Sequence, residues 1–334
     1  MNAAVPRASG ADAEAAPPWA CALLAVDKPI GVTSHDVVDE VRRRLRVTSA
    51  GHLGTLDPGA SGLLLIATGA ATRCIPVWQG GQKTYQATLR FGVTTSTQDA
   101  EGEVLERRAV TFDEAAVREA ALGMVGAIEQ VPPMVSALKV GGERLYRLAR
   151  RGITVERQPR RVTVLEWEWL EFAMPLATFR VRCSGGTYVR TLAHDLGGML
   201  GSGASLESLR RLRSEPFGIE RAVTLRALSR ESPDAAWAAG GYPIDDALAH
   251  LPSVVLDAAE SRDLGFGRRP SIARERIASG PVDGGPRSVV LRGEGGGALG
   301  LGELTPDPAD AARVRVCPHV LMPWAVRDGR EEGA

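Results

Sequence analysis

The sequence has few cysteines, no net charge and no long apolar run, and each absence argues against a class of protein. The four cysteines, Cys21, Cys74, Cys183 and Cys317, lie far apart without a CxxC pair, which fits neither a disulfide framework nor a zinc knuckle. No stretch approaches the ~18 apolar residues of a membrane span. Forty basic residues against forty acidic ones give a formal net charge of zero, whereas nucleic-acid-binding proteins are more often basic.

The N-terminal segment lacks the cationic start and the continuous apolar run of a signal peptide. Because it is rich in Ala and Pro, we expect residues 1–20 to be a disordered tail, and we expect residues 326–334 to be a tail as well. The protein is therefore expected to be cytoplasmic, with no membrane contact. Its 334 residues exceed the ~100–200 of a typical domain, so two domains are expected.

Apolar patterns predict strands and helices over most of the chain. Ala22–Val26 and Leu63–Ala67 are continuously apolar, whereas Tyr85–Phe91 and Phe179–Cys183 alternate with period two, and all four are typical of strands. An apolar stripe predicts a helix whose N-cap would be Ser34. Its members are Val37, Val38, Val41 and Leu45.

Two further helices and a second domain follow along the chain. Thr111 and Glu114 have the spacing of a capping box for a helix to about Leu122, and another helix is predicted from Tyr188 to Leu200. Ser232–Gly241, rich in Ala and Gly, is expected to be a linker or a loose helix end near a domain boundary. Short strand-like runs then predict a small β-rich domain over 251–325. The GxGxxG match at residues 295–300 precedes no helix and is expected to be a hairpin turn.

One segment carries a strong local charge. Between Lys139 and Arg161 there are eight basic residues and two acidic ones, a net charge of +6. Such a run is either a solvated helix face or an arm that binds phosphates.

The stretch GHLGTLDPGASG places a single carboxylate, Asp57, among glycines. Pro58 biases Asp57 toward an extended backbone, while Gly54 and Gly59 allow close approach of another molecule. Such a carboxylate can serve as a nucleophile or base, or it can simply close an Asx turn. Phosphatases of the haloacid-dehalogenase type need a second Asp two residues later; because Gly59 occupies that position, they are excluded.

Other side chains are compatible with a site but ambiguous alone. His52 has no second His or Cys at ligand spacing, so no metal site is expected. Tyr85 could stack on a base, although an aromatic at period two in a strand is commonly a core residue. Arg190 follows CSGGTYV at the start of a helix, where anions are favoured, so it needs a carboxylate or phosphate partner.

Six segments together carry a specific resemblance. They are LLAVDKPIGVTSHDVV, GHLGTLDPGASGLL, KTYQATLRFGVTTSTQDAEGEV, QVPPMVSALKVGGERLYRLARRG, CSGGTYVRTLAHDLG and LRRLRSEPFG. In order and spacing, from about Leu23 to Gly218, they resemble the TruB family of bacterial tRNA pseudouridine synthases, which modify the T-loop uridine (position 55). The resemblance implies an α+β pseudouridine synthase fold, with a central mixed, mainly antiparallel sheet flanked by helices over 21–250 and a PUA-like RNA-binding domain over 251–325.

The resemblance also implies roles for individual residues. Asp57 would be the nucleophile, Arg190 its ion-pair partner, and Tyr85 would lie against the target base. Leu209 would pack on the base, Tyr188 would line the pocket, and His52 and Lys28 would contact RNA. Residues 132–161, with Lys139, Arg150 and Arg151, would form an RNA-clamping insertion. The expected partner is the T-arm stem-loop of tRNA, and the protein is expected to be a monomer with no cofactor, no metal and no obligatory protein partner.

The sequence departs from the family motif at three positions, and two rival functions stay open. Leu53 replaces a Thr, while Gly59 and Ser61 replace a Leu or Met and a Thr, which affects details of the loop but not Asp57. The rivals are a guide-RNA-dependent pseudouridine synthase and a non-catalytic tRNA-folding chaperone. In either enzyme Asp57 must be ionised; burial would raise its pKa, and a neighbouring Arg190 would lower it.

Overall fold

Two β-sheets organise the computed structural model, which describes residues 16–136, 138–277 and 288–328. Eleven strands between residues 22 and 243 form the first sheet, and five strands between residues 253 and 321 form the second. Two small two-stranded sheets complete the described strands.

The strands, in chain order, are β1 Ala22–Lys28, β2 Ala50–His52, β3 Ala60–Thr68, β4 Lys83–Phe91, β5 Val93–Thr95, β6 Val104–Arg107, β7 Gly126–Gln130, β8 Lys139–Val140, β9 Glu143–Arg144, β10 Arg160–Ala173, β11 Leu176–Cys183, β12 Ala204–Ser214, β13 Phe217–Gly218, β14 Val223–Thr224, β15 Gly241–Pro243, β16 Ser253–Val255, β17 Ser271–Ala273, β18 Ser288–Arg292, β19 Ala298–Asp307 and β20 Asp310–Leu321.

The helices are α1 Ser34–Leu45, α2 Ile75–Gln79, α3 Glu114–Leu122, α4 Leu145–Arg150, α5 Val189–Met199, α6 Leu225–Arg230, α7 Pro233–Gly240, α8 Ile244–Leu248, α9 Ala258–Gly265 and α10 Pro323–Asp328. Short 3₁₀ turns lie at Pro18–Ala20, Gly69–Cys74, Ile219–Arg221 and Arg274–Arg276. Among the described residues, no helix is long and apolar enough to cross a membrane.

The first sheet is mixed and mainly antiparallel, with the order β14-β1-β3-β12-β4-β11-β10-β7. Only the β1–β14 and β3–β12 pairs are parallel. The second sheet has the order β16-β18-β19-β20-β17. This architecture confirms the predicted α+β class, and the turn between β18 and β19 confirms that the GxGxxG match is part of a hairpin.

Helix α1 has the predicted apolar stripe, but it begins differently. Its N-cap is Thr33, whose hydroxyl accepts from the Asp36 amide at 3.1 Å. Ser34 instead donates to the carbonyl of Leu56 at 3.0 Å and accepts from the Leu56 amide at 2.9 Å. Because both Leu56 backbone groups are used, the start of α1 is tied to the loop that carries Asp57.

Three other boundaries differ from the sequence predictions. Helix α3 is capped by Asp113, not by Thr111, because the Asp113 carboxylate reaches the Ala116 amide at 3.0 Å. Residues 233–240 form a complete helix, α7, rather than a linker or a loose helix end, and its N-cap is Ser232. Helix α10 continues to Asp328, so the expected tail is wrong for residues 326–328.

The expected N-terminal disorder is wrong for Pro18–Ala20. These residues form a 3₁₀ turn in which Trp19 is buried. The Trp19 indole donates to the carbonyl of Leu45 at 3.0 Å, at the end of α1. The expectation for residues 1–15, like that for residues 329–334, lies outside the described residues.

The two sheets share an apolar core. One cluster contains Leu23 and Leu65 of the first sheet together with Val290 and Leu301 of the second. The buried Leu53, which departs from the usual motif, belongs to the same cluster. The second sheet therefore packs against the strands and loop that position Asp57.

Candidate active site

Asp57 lies on the loop between β2 and β3, whose backbone is held at several points. The Ala60 amide donates to the carbonyl of Asp57 at 3.0 Å, and the Gly31 amide donates to the carbonyl of Pro58 at 2.9 Å. Gly54 has a φ of +90°, in the left-handed region that favours glycine. The loop is thus fixed through its backbone, which leaves the Asp57 carboxylate free to meet other side chains.

Lys28 contacts the backbone of this loop through its ammonium group. Its side chain is fully buried, and its Nζ donates to the carbonyl of Val32 at 2.7 Å, of Pro29 at 3.0 Å and of Pro58 at 3.4 Å. Burial lowers the pKa of Lys28 to about 8, and the Asp57 charge partly offsets this. The predicted RNA contact of Lys28 is not supported, because a fully buried ammonium group bound to three carbonyls presents no surface to a ligand.

Arg190, near the start of α5, lies next to Asp57. Its Nη2 atom lies 3.3 Å from Asp57 Oδ2, so the expected ion pair is present, and its side chain is 5% exposed. The same Nη2 donates to the carbonyl of Val135 at 2.5 Å. Backbone from the 132–161 insertion therefore touches the arginine that faces Asp57.

A second carboxylate, Asp99, was missed by the sequence reasoning. Asp99 Oδ2 lies 3.2 Å from Nη1 of Arg190, which also donates to the carbonyl of Thr97 at 3.4 Å. The guanidinium thus bridges two carboxylates, Asp57 and Asp99. The available signal was the QDAEG stretch between β5 and β6, where a polar turn carries two acids close together.

The electrostatics around Asp57 favour a carboxyl that holds its proton more strongly than usual. Burial raises the pKa of Asp57 above its ordinary value; the Arg190 cation opposes this, and the Asp99 charge adds to it. Glu101 lies near the same group, and burial together with the charges of Asp99 and Asp57 raises its pKa also. Two opposing effects, burial and the Arg190 cation, therefore act on the pKa of Asp57.

A small pocket of about 40 Å³ opens beside Asp57, roughly the space of one water molecule in the liquid. Leu209 lies on its wall, as predicted for a residue that would pack on the base. The pocket is lined by Asp57, Gly59, Ala60, Asp99, Ala100, Glu101, Leu206, Glu207, Ser208 and Leu209. A nucleobase would need this space to widen.

The described lining of the pocket does not include Tyr85, Tyr188 or His52, so the expectation that Tyr188 lines the pocket is not met. Tyr85 is 9% exposed and does not line the pocket, although it lies close enough for the Asp57 charge to influence its pKa. Tyr188 is the N-cap residue of α5, and its ring lies 5.9 Å from the Arg190 guanidinium. His52 is half-buried in β2; burial lowers its pKa, and its Nδ1 has no hydrogen-bond partner among the described residues.

The insertion presents arginines to solvent. Arg151 is exposed and pairs with Glu143 at 2.7 Å. The side chains of Lys139 and Arg150 lie outside the described part of the chain. In the ranges that the structure describes, no three His, Cys, Asp or Glu side chains converge as metal ligands would.

Comparisons with known proteins place the chain in a family. The model of the N-terminal domain of TruB family pseudouridylate synthase matches residues 42–189, and that of the C-terminal domain of tRNA pseudouridylate synthase B matches residues 190–249. A tRNA pseudouridine synthase B from Burkholderia pseudomallei is 47% identical over 263 residues, which cover 79% of this chain and 87% of the relative. One from Syntrophotalea carbinolica is 42% identical over 297 residues, covering 87% and 94%.

Solved structures agree with this placement. A chain from a Cbf5-Nop10-Gar1 complex is similar with a TM-score of 0.71 at 27% identity, covering 96% of this chain and 92% of that one. A chain from an H/ACA RNP bound to a substrate RNA containing 2'-deoxyuridine has a TM-score of 0.69 at 25% identity, covering 92% and 86%. From the matched family models and from relatives this similar over most of both chains, the chain belongs to the TruB family of pseudouridylate synthases, which are isomerases.

Proposed function

We propose that this enzyme converts the T-loop uridine of tRNA to pseudouridine, with Asp57 as its nucleophile. The observation that carries the proposal is the Asp57 carboxylate beside a pocket, 3.3 Å from the buried guanidinium of Arg190. The similar proteins named tRNA pseudouridine synthase B support tRNA as the substrate.

The reaction exchanges one bond of the nucleoside for another. The C1′–N1 bond breaks, the base turns, a C1′–C5 bond forms, N1 gains a proton and C5 loses one. The exchange is redox-neutral, and a single ionised carboxylate can act as the nucleophile. Arg190 supports this role because its charge favours the ionised form of Asp57 against the effect of burial.

The target uridine must leave its stack to reach Asp57. Extrusion costs a few kcal/mol, and stacking on an aromatic side chain returns ~1–3 kcal/mol for each base. Leu209 on the pocket wall offers an apolar surface for the base. Tyr85 offers a ring close to Asp57, provided that the pocket widens as the base enters.

The remaining RNA contacts are assigned to two regions away from the pocket. The exposed arginines of the 132–161 insertion suit the phosphates of the T arm. The second sheet, the PUA-like part of the resemblance, would hold tRNA farther from the reacting base. Contacts so remote contribute mainly to binding.

The test is pseudouridine mapping on unmodified tRNA treated with the purified chain alone. We expect one modified position, the T-loop uridine, and no product on a matched tRNA with cytidine at that position. Activity that appears only with added guide RNA and partner proteins would favour the guide-dependent alternative. Faster tRNA folding without any pseudouridine would favour the chaperone.

A further inference from the structure

Arg211 is a buried cation with no acidic partner in the described part of the chain. Its side chain is among the largest that are fully buried, with 2% of the residue exposed. Two of its hydrogen bonds go to backbone carbonyls: Nε donates to Leu63 at 2.7 Å, and Nη2 donates to Gly54 at 3.1 Å. Burying an ion without an opposite charge is costly, so this arrangement calls for a reason.

The position of Arg211 in the sheet places it between two parts of the site. It lies on β12, with Gly62 of β3 as its partner on one side and Tyr85 of β4 on the other. At Gly62, with φ at +103°, a Cβ atom would meet the Arg211 backbone oxygen. Only a glycine there lets the two strands approach so closely, which seats Arg211 beside the loop that carries Asp57.

The guanidinium binds both ends of the Asp57 loop. One hydrogen bond ends on Gly54, three residues before Asp57. Leu63, which accepts from Nε, lies on β3 beyond the loop. Tyr85 is the partner of Arg211 across the β4–β12 pair, and the Arg211 charge opposes the rise that burial causes in the pKa of Tyr85. One rigid, forked group thus connects the two ends of the Asp57 loop beside the tyrosine of the neighbouring strand.

We propose that Arg211 is a positioning residue, which sets the Asp57 loop and the Tyr85 ring relative to each other because it binds the Gly54 and Leu63 carbonyls while it lies opposite Tyr85 in the sheet. Its planar fork is needed, because a lysine ammonium offers a point charge on a flexible stem. The proposal rests on the proposed function of Asp57, but it concerns geometry that can also be measured without substrate.

The kinetic test compares Arg211→Met and Arg211→Lys with Arg213→Met as the control. Arg213 lies on the same strand but bonds to Glu215 at the surface, at 2.8 Å. At saturating enzyme and with unmodified tRNA, we expect single-turnover rates of both Arg211 variants to fall about 10- to 100-fold, because small misplacements of reacting groups are that costly. RNA affinity should change by less than about threefold, and the control should keep the wild-type rate.

A double-mutant cycle with Tyr85→Phe separates positioning from general stability. If Arg211 acts through its neighbour Tyr85, the double variant should be no slower than the slower single variant, since coupled residues are not additive. Effects that multiply, or a near-normal rate in Arg211→Met, would overturn the proposal. If Arg211→Met does not fold, the cycle with Arg211→Lys gives the same answer.

Hydrogen exchange in the free protein tests the geometry independently of catalysis. We expect the peptide spanning residues 51–62 to exchange faster in Arg211→Met than in wild type, and to be unchanged in Arg213→Met. Equal exchange in wild type and Arg211→Met would contradict the inference even if the enzyme is active. Absence of pseudouridine from the wild-type reaction would instead reject the proposed function, and the exchange experiment would still decide the role of Arg211.

Discussion

Charge is arranged differently around Asp57 and in the insertion. Three cations near Asp57, Lys28, Arg190 and Arg211, are almost fully buried and are matched in number by three carboxylates, Asp57, Asp99 and Glu101. The segment from Lys139 to Arg161 carries eight basic and two acidic residues, and the described arginines there are mostly exposed. One region buries its cations close to carboxylates, whereas the other leaves its cations exposed to water and in excess.

The contrast indicates two different uses of charge. Buried charges interact strongly and fix orientation and protonation, but they cannot reach a phosphate without being uncovered. Exposed arginines interact weakly with one another because solvent screens them, yet each can displace a counterion from RNA. Changes in the pocket should therefore act on the rate, and changes in the insertion should act on affinity.

The largest effect is expected from Asp57→Asn. The side chain keeps its shape and loses its charge, so pseudouridine formation should be abolished while tRNA affinity stays within about threefold. Single-turnover assays and filter binding measure the two quantities. Asp39→Asn on α1, an exposed acid that pairs with Arg42, is the matched control. Measurable turnover by the Asp57 variant would show that another group does the chemistry.

Arg190→Lys should come next in size. The guanidinium serves Asp57 with Nη2 and Asp99 with Nη1, and one ammonium group cannot reproduce this fork. We expect the rate at saturating RNA to fall on the order of 100-fold, as for a misplaced reacting group, with a modest change in affinity. A near-normal rate would mean that charge alone, without the bridging geometry, is sufficient.

Asp99→Asn should change the pH dependence rather than abolish activity. The negative charge of Asp99 raises the pKa of Asp57, so its removal should lower that pKa and move the acidic limb of the rate profile to lower pH. Burial, the largest cause, remains, and the limb should stay above the range of an ordinary aspartate. Single-turnover rates across pH, with Asp113→Asn at the cap of α3 as control, provide the measurement. A shift to higher pH would show that Asp99 acts chiefly by orienting Arg190.

The sequence predicted the parts of the site that belong to compact motifs. Asp57 and Arg190 were paired through the family resemblance, and Leu209, which was expected near Asp57 by the same route, lines the pocket beside it. Asp99 and Arg211 were missed because their importance arises from tertiary approach: one turn folds back onto Arg190, and one arginine lies across from Gly62. In the LRRLR stretch, Arg211 is not distinguished from Arg210 or Arg213 by composition, and only pairing with β3 and β4 buries it.

Secondary structure was predicted best where the spacing of apolar residues along the chain determined it. The α1 stripe and the β3 run were found, since burial on one or both faces leaves a clear pattern. Caps were predicted less well: Thr33 rather than Ser34 caps α1 because Ser34 is used by Leu56. The Ala-rich segment after Ser232 was taken for a linker or a loose helix end, although a capped start at Ser232 and packing of Ala236 in the main core make it a complete helix.

The smallest effect is expected from replacing Arg150 and Arg151 by Ala, and it should differ in kind from the others. If these arginines bind phosphates, the double variant should weaken tRNA binding and flatten its dependence on salt by up to about one unit of slope for each phosphate that is no longer bound. The rate at saturating RNA should stay close to that of wild type, because these side chains are assigned to binding and not to the pocket.

A matched control for this last variant exists on α3. Arg118 pairs with Glu114 at 2.5 Å on the surface, much as Arg151 pairs with Glu143 at 2.7 Å, so Arg118→Ala measures the effect of removing an ordinary surface ion pair. An unchanged salt slope in the Arg150/Arg151 variant would return the segment to a solvated helix face. A lower rate at saturating RNA would have a different meaning, because the Val135 carbonyl of the insertion accepts a hydrogen bond from Arg190. Such a result would indicate that the insertion acts on the ion pair between Arg190 and Asp57. The insertion would then affect the rate as well as the affinity, contrary to the division proposed above.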